Sequence, residues 1–168
     1  APVEYAAIEA KREAAEETGL KPSEIGAFFI SPCPAKVTDA RNPAGLSSPV
    51  VDGVLSMSDV YIRLLGVMKK DRQPEQLSAT GLMGIGWAGS GGEASALLNS
   101  SHIAVDGIDN VLSVLSDIED GKLEGTEFIE LNACTQGCVG GCLAVENPFV
   151  ARMRIKGLMK YLPVSKNK

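Results

Sequence analysis

The chain of 168 residues carries 21 acidic against 16 basic side chains, a net charge of −5, and a globular-average 45% apolar content. That balance excludes the concentrated positive field that phosphate-backbone binding needs, so no nucleic-acid partner is expected. No run of about 18 apolar residues could span a bilayer and no charged-then-apolar leader opens the chain, which predicts a soluble, cytoplasmic protein without a membrane partner and with a single domain over residues 1–168.

The sequence starts at Ala1 and enters a charged helical pattern at once, as an excised piece of a longer protein would. Ala, Glu, Lys and Arg dominate from Val3 to Thr18, and Gly19 follows as a stop, so the first element is a helix. Ile25–Ser31 is a short apolar run ended by Pro32 and Pro34, the pattern of a buried strand that delivers Cys33 at its C-terminal end. Thr38–Pro49, rich in Asn, Pro, Gly and Ser, reads as a loop and Val50–Leu55 as a second strand. Ser58 is placed to cap a helix with Asp59 in its first turn, apolar Val60, Leu64, Leu65 and Met68 at helical spacing, and Lys69 and Lys70 at its end. Residues 71–80 read as a loop, and the Gly-rich stretch Gly81–Gly92 leads into a helix over Glu93–Ser100.

Between Val105 and Gly121 the residues Ile108, Val111, Leu112, Leu115 and Ile118 form an apolar helical stripe. Thr126–Leu131 is a third strand running directly into a three-cysteine stretch, and Pro148 opens a last helix to about Leu162. The basic end, Arg152 to Lys168, reads as a solvated helix face with a disordered tail at 163–168. Alternating strands and helices predict an α/β fold with a mostly parallel sheet flanked by helices, and cysteines at the C-terminal ends of two strands.

Cys33 stands alone, whereas Cys134, Cys138 and Cys142 come at intervals of four, a crowding that suits metal ligands better than a disulfide framework. The later cysteines sit among Gly137, Gly140 and Gly141. Iron–sulfur clusters need thiolates, and glycine lets backbone N–H groups turn toward the sulfurs. Zinc is the chemical alternative, although structural zinc sites favour closely spaced cysteine pairs.

The stretch Ser31-Pro32-Cys33-Pro34-Ala35-Lys36-Val37-Thr38-Asp39 resembles the second signature of iron-only hydrogenase large subunits, Met-Pro-Cys-x-x-Lys-x-x-Glu. Glu130, Cys134, Gly137, Cys138 and Gly141 fall into register with their third, Glu-x-Met-x-Cys-x-x-Gly-Cys-x-x-Gly-Gly. Trp87–Ala94 looks like the family's Gly–Gly turn. The resemblance implies one lobe of the hydrogenase catalytic domain, with Cys33 and Cys134 as ligands of a 4Fe–4S cluster and Cys138 bridging to a di-iron subsite in the intact protein. It also implies Lys36 as a charged hydrogen-bond donor to that subsite. The activity implied is reversible hydrogen oxidation and proton reduction, or hydrogen sensing. The implied partners are an upstream part of the same protein with further iron–sulfur clusters and a ferredoxin-like electron carrier.

The departures shape a second reading. The family's first signature, which supplies another cube ligand, is absent, so the fragment alone is expected to be inactive. Ser31 and Asn132 stand where the signatures have methionine, and Asp39 where the second has glutamate. Small polar residues there change the shape and dryness of the pocket, which favours a non-catalytic iron–sulfur sensor or interaction module. Cys142 is extra, and reads either as a small buried residue or as a replacement fourth ligand.

Other residues keep two readings at this stage. Lys36 is a surface charge or the donor named above, and Glu130 orients the cysteine loop or is an ordinary charge at a strand end. Gly84–Gly89 spells G-x-G-x-x-G, the pattern of a nucleotide-binding turn if a strand precedes it. His102, the sole histidine, reads as a cap or surface residue before a ligand, and Met57, Met68, Met83, Met153 and Met159 as core fillers.

Overall fold

The computed structural model describes residues 2–68, 70 and 80–163. The fold is mixed α/β with parallel strands, and it divides into two compact units, Ala1–Lys70 and Asp71–Lys168. Among the described residues no helix is long and apolar enough to cross a membrane. The predicted loop at 71–79, the helix-ending Lys69, and the predicted tail from 164 onward lie outside the described residues.

In the first unit, α1 (Pro2–Thr18) ends where Gly19 takes a left-handed conformation, φ +73°, and its N–H bonds the Ala15 carbonyl. β1 (Phe28–Ser31) pairs in parallel with β2 (Gly53–Ser56), Phe28 opposite Gly53 and Ser31 opposite Ser56. Both strands are shorter than the apolar runs suggest. At Gly53 an added Cβ would lie 3.0 Å from the Phe28 ring, so the pairing uses the bare backbone there. Ala7 and Val51 are buried.

One helix in this unit was not foreseen. Residues 38–41, expected to be loop, are the last turn of α2 (Pro34–Arg41), which begins directly after Cys33. Cys33 is its extended N-cap residue and Pro34, with φ already fixed, occupies the first turn. α3 (Met57–Met68) starts one residue before the expected cap, Ser58. The capping oxygen is that of Ser56, which accepts the Asp59 N–H at 3.0 Å and pairs with the Ser58 hydroxyl at 2.8 Å. The apolar stripe of α3 is largely exposed at Leu64, Leu65 and Met68.

The described part of the second unit begins with two one-turn helices, α4 (Leu82–Gly86) and α5 (Gly92–Ala96). β3 (His102–Asp106) then runs parallel to β4 (Phe128–Asn132), His102 opposite Phe128 and Asp106 opposite Asn132. β3 is missing from the sequence expectation, because its polar first and last residues hide the strand and its apolar centre merges with the stripe of α6 (Ile108–Glu119). Of that stripe only Val111 is buried, and Ile108, Leu112, Leu115 and Ile118 are exposed. α7 (Pro148–Met159) is capped by Asn147, whose side chain accepts the N–H groups of Phe149 and Val150. Met68 and Met153 are exposed rather than core fillers.

Candidate metal centre

Cys33 lies two residues beyond the end of β1 and is half-buried. Its position is set locally. The Ser31 hydroxyl, 1% exposed, accepts the Cys33 N–H at 3.1 Å and reaches back to the Cys33 carbonyl at 3.4 Å. The same carbonyl accepts the Lys36 N–H at 3.2 Å as α2 begins. Ser31, standing where the resemblance expects methionine, is therefore a fully enclosed hydroxyl that shapes the cysteine turn. Lys36 and Asp39 share the surface of α2 and pair at 3.2 Å, so the two signature positions after Cys33 meet each other.

Cys134 stands in the same relation to β4, two residues past Asn132. From there the chain turns through Gln136 and Gly137, both left-handed at φ +67° and +78°, into a 3-10 turn at Gly137–Gly140. The Gly137 N–H closes onto the Cys134 carbonyl and the Gly141 N–H onto the Cys138 carbonyl, each at 3.0 Å. Cys134 is half-buried, Cys138 and Cys142 are exposed, and the cysteines are thiols without disulfide links. The exposure of Cys142 overturns its reading as a small buried residue.

This loop is stitched to distant parts of the second unit. Ser90 donates its N–H to the Gln136 carbonyl at 3.1 Å, and Val139 donates to the Ala88 carbonyl at 3.0 Å. An added Cβ at Gly137 would lie 2.5 Å from the Ser90 nitrogen, and one at Gly140 1.9 Å from the Thr135 oxygen. Glycine is required at both because backbone passes against backbone. Asp106, at the end of β3, accepts the Gln136 N–H at 3.1 Å.

Glu130 fixes the other side of the arrangement. It is 5% exposed in the middle of β4. One carboxylate oxygen accepts the Gly91 N–H at 2.9 Å and the Asn132 side-chain amide at 2.7 Å, and the other accepts the Ala94 N–H at 2.9 Å. Charge-assisted bonds to backbone N–H groups are strong, and they hold the Trp87–Ala94 turn beside the strand that carries Cys134. Neither sequence reading of Glu130 holds as stated: it is buried in mid-strand rather than a charge at the strand end, and the segment it holds is the Gly–Gly turn rather than the cysteine loop. Asn132, the second departure from methionine, is committed to this carboxylate.

Several alternatives close on the same geometry. Gly84 and Gly86 lie inside α4, so the first two glycines of the G-x-G-x-x-G spelling are helical rather than in the turn that a nucleotide loop needs. His102 opens β3 half-buried, its ring Nδ1 bonded to the Asn99 carbonyl, and acts as a turn-holding residue. Arg152 is not a solvated charge: it is half-buried and donates to the Gln136 side-chain oxygen at 2.9 Å and the Ser90 carbonyl at 3.0 Å. Sequence reading missed both Arg152 and Asp106, since no local pattern links either to Gln136.

Residues 92–142 match the family described as iron only hydrogenase large subunit, C-terminal domain. This stretch belongs to that family. A comparison with curated proteins finds no match. The hydrogenase-family segment takes in α5, β3, α6, β4 and all three late cysteines, while Cys33 and Lys36 fall outside it. Soft thiolates in a glycine-rich turn suit iron–sulfur ligation, the class of cofactor the hydrogenase family implies. Among the described residues, no three His, Cys, Asp or Glu side chains gather closely enough to hold a metal ion.

Proposed function

We propose that this chain contributes to an iron–sulfur site, with Cys134 and Cys138 as thiolate ligands of a 4Fe–4S cluster, and that Cys33, at the end of β1, is a thiolate ligand as its own signature implies. The observation that supports this most is the coincidence of two independent boundaries. The family match runs from Gly92 to Cys142, and nearly the same residues are those that Glu130 and the Gly137–Ser90 approach lock together. Gly137, Gly140 and Gly141 would line the cluster with backbone, and Cys142, exposed two residues after the 3-10 turn ends at Gly140, would replace the ligand that the absent first signature supplies. Should Cys142 not serve, that ligand would come from an upstream part of the same protein.

When bound, such a cluster, with a di-iron subsite in the intact protein, supplies one-electron chemistry for reversible hydrogen oxidation and proton reduction or for hydrogen sensing. The chain's own residues hold thiols and backbone in place, and Lys36 would offer a cation near Cys33. Electrons would pass through clusters elsewhere in the same protein and a ferredoxin-like carrier.

A second reading, a non-catalytic iron–sulfur sensor, is favoured by Ser31 and Asn132. Both are hydrogen-bonded into the scaffold, so neither offers the apolar lining that methionine would. Anaerobic reconstitution with iron and sulfide, followed by iron quantification and electron paramagnetic resonance after reduction, tests the cluster itself. A cubane-type signal lost in Cys134→Ala and Cys138→Ala supports the proposal. Tight zinc binding without iron uptake in the longest available form of the protein would overturn it. An unchanged iron load in Cys142→Ala would remove that residue from the ligand set.

A further inference from the structure

We propose that Arg152 is a positioning residue for the cysteine loop, holding the Cys134–Cys138 turn against the Ser90 turn before any cluster binds. The purpose assigned to it rests on the iron–sulfur reading above, whereas the clamp itself stands on geometry. From α7, Arg152 reaches a residue 16 positions away and another 62 away, donating to the Gln136 side chain at 2.9 Å and to the Ser90 carbonyl at 3.0 Å. Ser90 in turn donates its N–H to the Gln136 carbonyl at 3.1 Å, so the three residues close a ring of hydrogen bonds.

Gln136 is the member that needs holding. It sits at φ +67°, a region that side chains other than glycine seldom occupy, midway between Cys134 and Cys138. Its neighbour Gly137 passes so close to Ser90 that a small outward movement of the loop would open both the Ser90 and Val139 backbone bonds. Among the described residues the hydrogen bonds of Arg152 run to these neutral oxygens rather than to a carboxylate, a use of the planar fork for geometry. A lysine ammonium offers no such fork and should recover only part of the effect.

The test compares the full chain with Arg152→Ala, Arg152→Lys and Gln136→Leu. Amide hydrogen exchange of the metal-free proteins reads the clamp at two reporters, the Ser90 and Val139 N–H groups. Both should exchange about tenfold faster in Arg152→Ala, with β4 amides unchanged and Arg152→Lys intermediate. Iron uptake and the resonance spectrum after reconstitution read its consequence, a severalfold lower load in Arg152→Ala partly rescued by Arg152→Lys. Wild-type exchange at both reporters, or a wild-type iron load and spectrum in Arg152→Ala, overturns the proposal. Should Arg152→Ala fail to fold, Arg152→Lys and Gln136→Leu decide on the same readouts. A wild-type chain that takes up no iron sinks the cluster reading, and the exchange rates then still decide whether Arg152 sets the loop.

Discussion

The two cysteine-bearing turns begin alike and are held differently. Each follows a strand of a parallel pair, each places its cysteine two residues past that strand, and each has a buried polar side chain in it, Ser31 in one and Glu130 in the other. Ser31 completes its bonds within two residues of itself. Glu130 reaches 36 and 39 residues along the chain to the N–H groups of Ala94 and Gly91. After Cys33 the chain relaxes into an ordinary helix, α2, whereas after Cys134 it threads a glycine-lined passage fixed by Ser90, Asp106 and Arg152. A turn held by its own neighbours can form early and survive changes elsewhere. One assembled from separated segments depends on every one of them.

That contrast sets the largest expected effect. Glu130→Ala orphans two backbone donors and leaves a hole in β4, a loss of about 3 to 4 kcal/mol. Glu130→Gln keeps one acceptor and should cost roughly half as much. Trp87, the sole tryptophan, adjoins the turn Glu130 holds, so urea unfolding followed by its fluorescence reports the second unit. Ser31→Ala removes one local acceptor and should cost only about 1 kcal/mol, read by circular dichroism. Equal losses in the two variants would break the comparison.

Glycine substitutions sharpen it further. Gly137→Ala combines a left-handed backbone with a Cβ 2.5 Å from the Ser90 nitrogen, and should destabilise by about 2 to 3 kcal/mol. Gly45→Ala in the first unit carries the same backbone strain at φ +82° with nothing within 4 Å of the added carbon, and should cost about 1 kcal/mol. The difference between the two melts isolates the close approach from the conformational term. Were Gly137→Ala no worse than Gly45→Ala, the loop would have room to move off Ser90.

How much was legible follows the same division. Helices α1, α3, α6 and α7 and strands β1, β2 and β4 show in periodicity and punctuation, because those signals depend on residues a few positions apart. The cysteine turns and the Gly–Gly turn show as short motifs. What escaped was relational. α2 was hidden by a loop-like composition that Cys33 and Pro34 override locally. β3 is defined by pairing with β4, and its own residues carry too weak an alternation to announce it. Arg152 looked like one more charge on a basic helix, since its partners are 16 and 62 residues away. That Glu130 is buried and anchors the Gly–Gly turn rather than the cysteine loop was equally hidden, since its partners lie 36 and 39 residues away.

The smallest effect concerns a carboxylate of the first unit, Asp52, the counterpart there of long-range Asp106. Lys11 from α1 pairs with it at 2.7 Å, and the Ala27 N–H donates to the same oxygen at 2.7 Å. The Lys11 hydrogen bond, and after it the Ala27 N–H, hold the Asp52 carboxyl below its ordinary value of 3.8 despite some desolvation. Because the folded form binds its proton less readily than the unfolded one, the stabilisation is complete above that ordinary value and fades as the pH falls through the lowered folded one. The carboxylate is well exposed, so solvent screening keeps the gain under about 1 kcal/mol, and less in high salt. Asp52→Asn should therefore lower stability slightly at neutral pH and flatten the acid limb of the stability curve for the first unit, while leaving the Trp87-reported transition unchanged. An acid limb identical to that of the unsubstituted chain would mean that α1 is held to its sheet by apolar packing around Ala7 and Val51 alone, and that the first unit is local in its long contacts as well as in its cysteine turn.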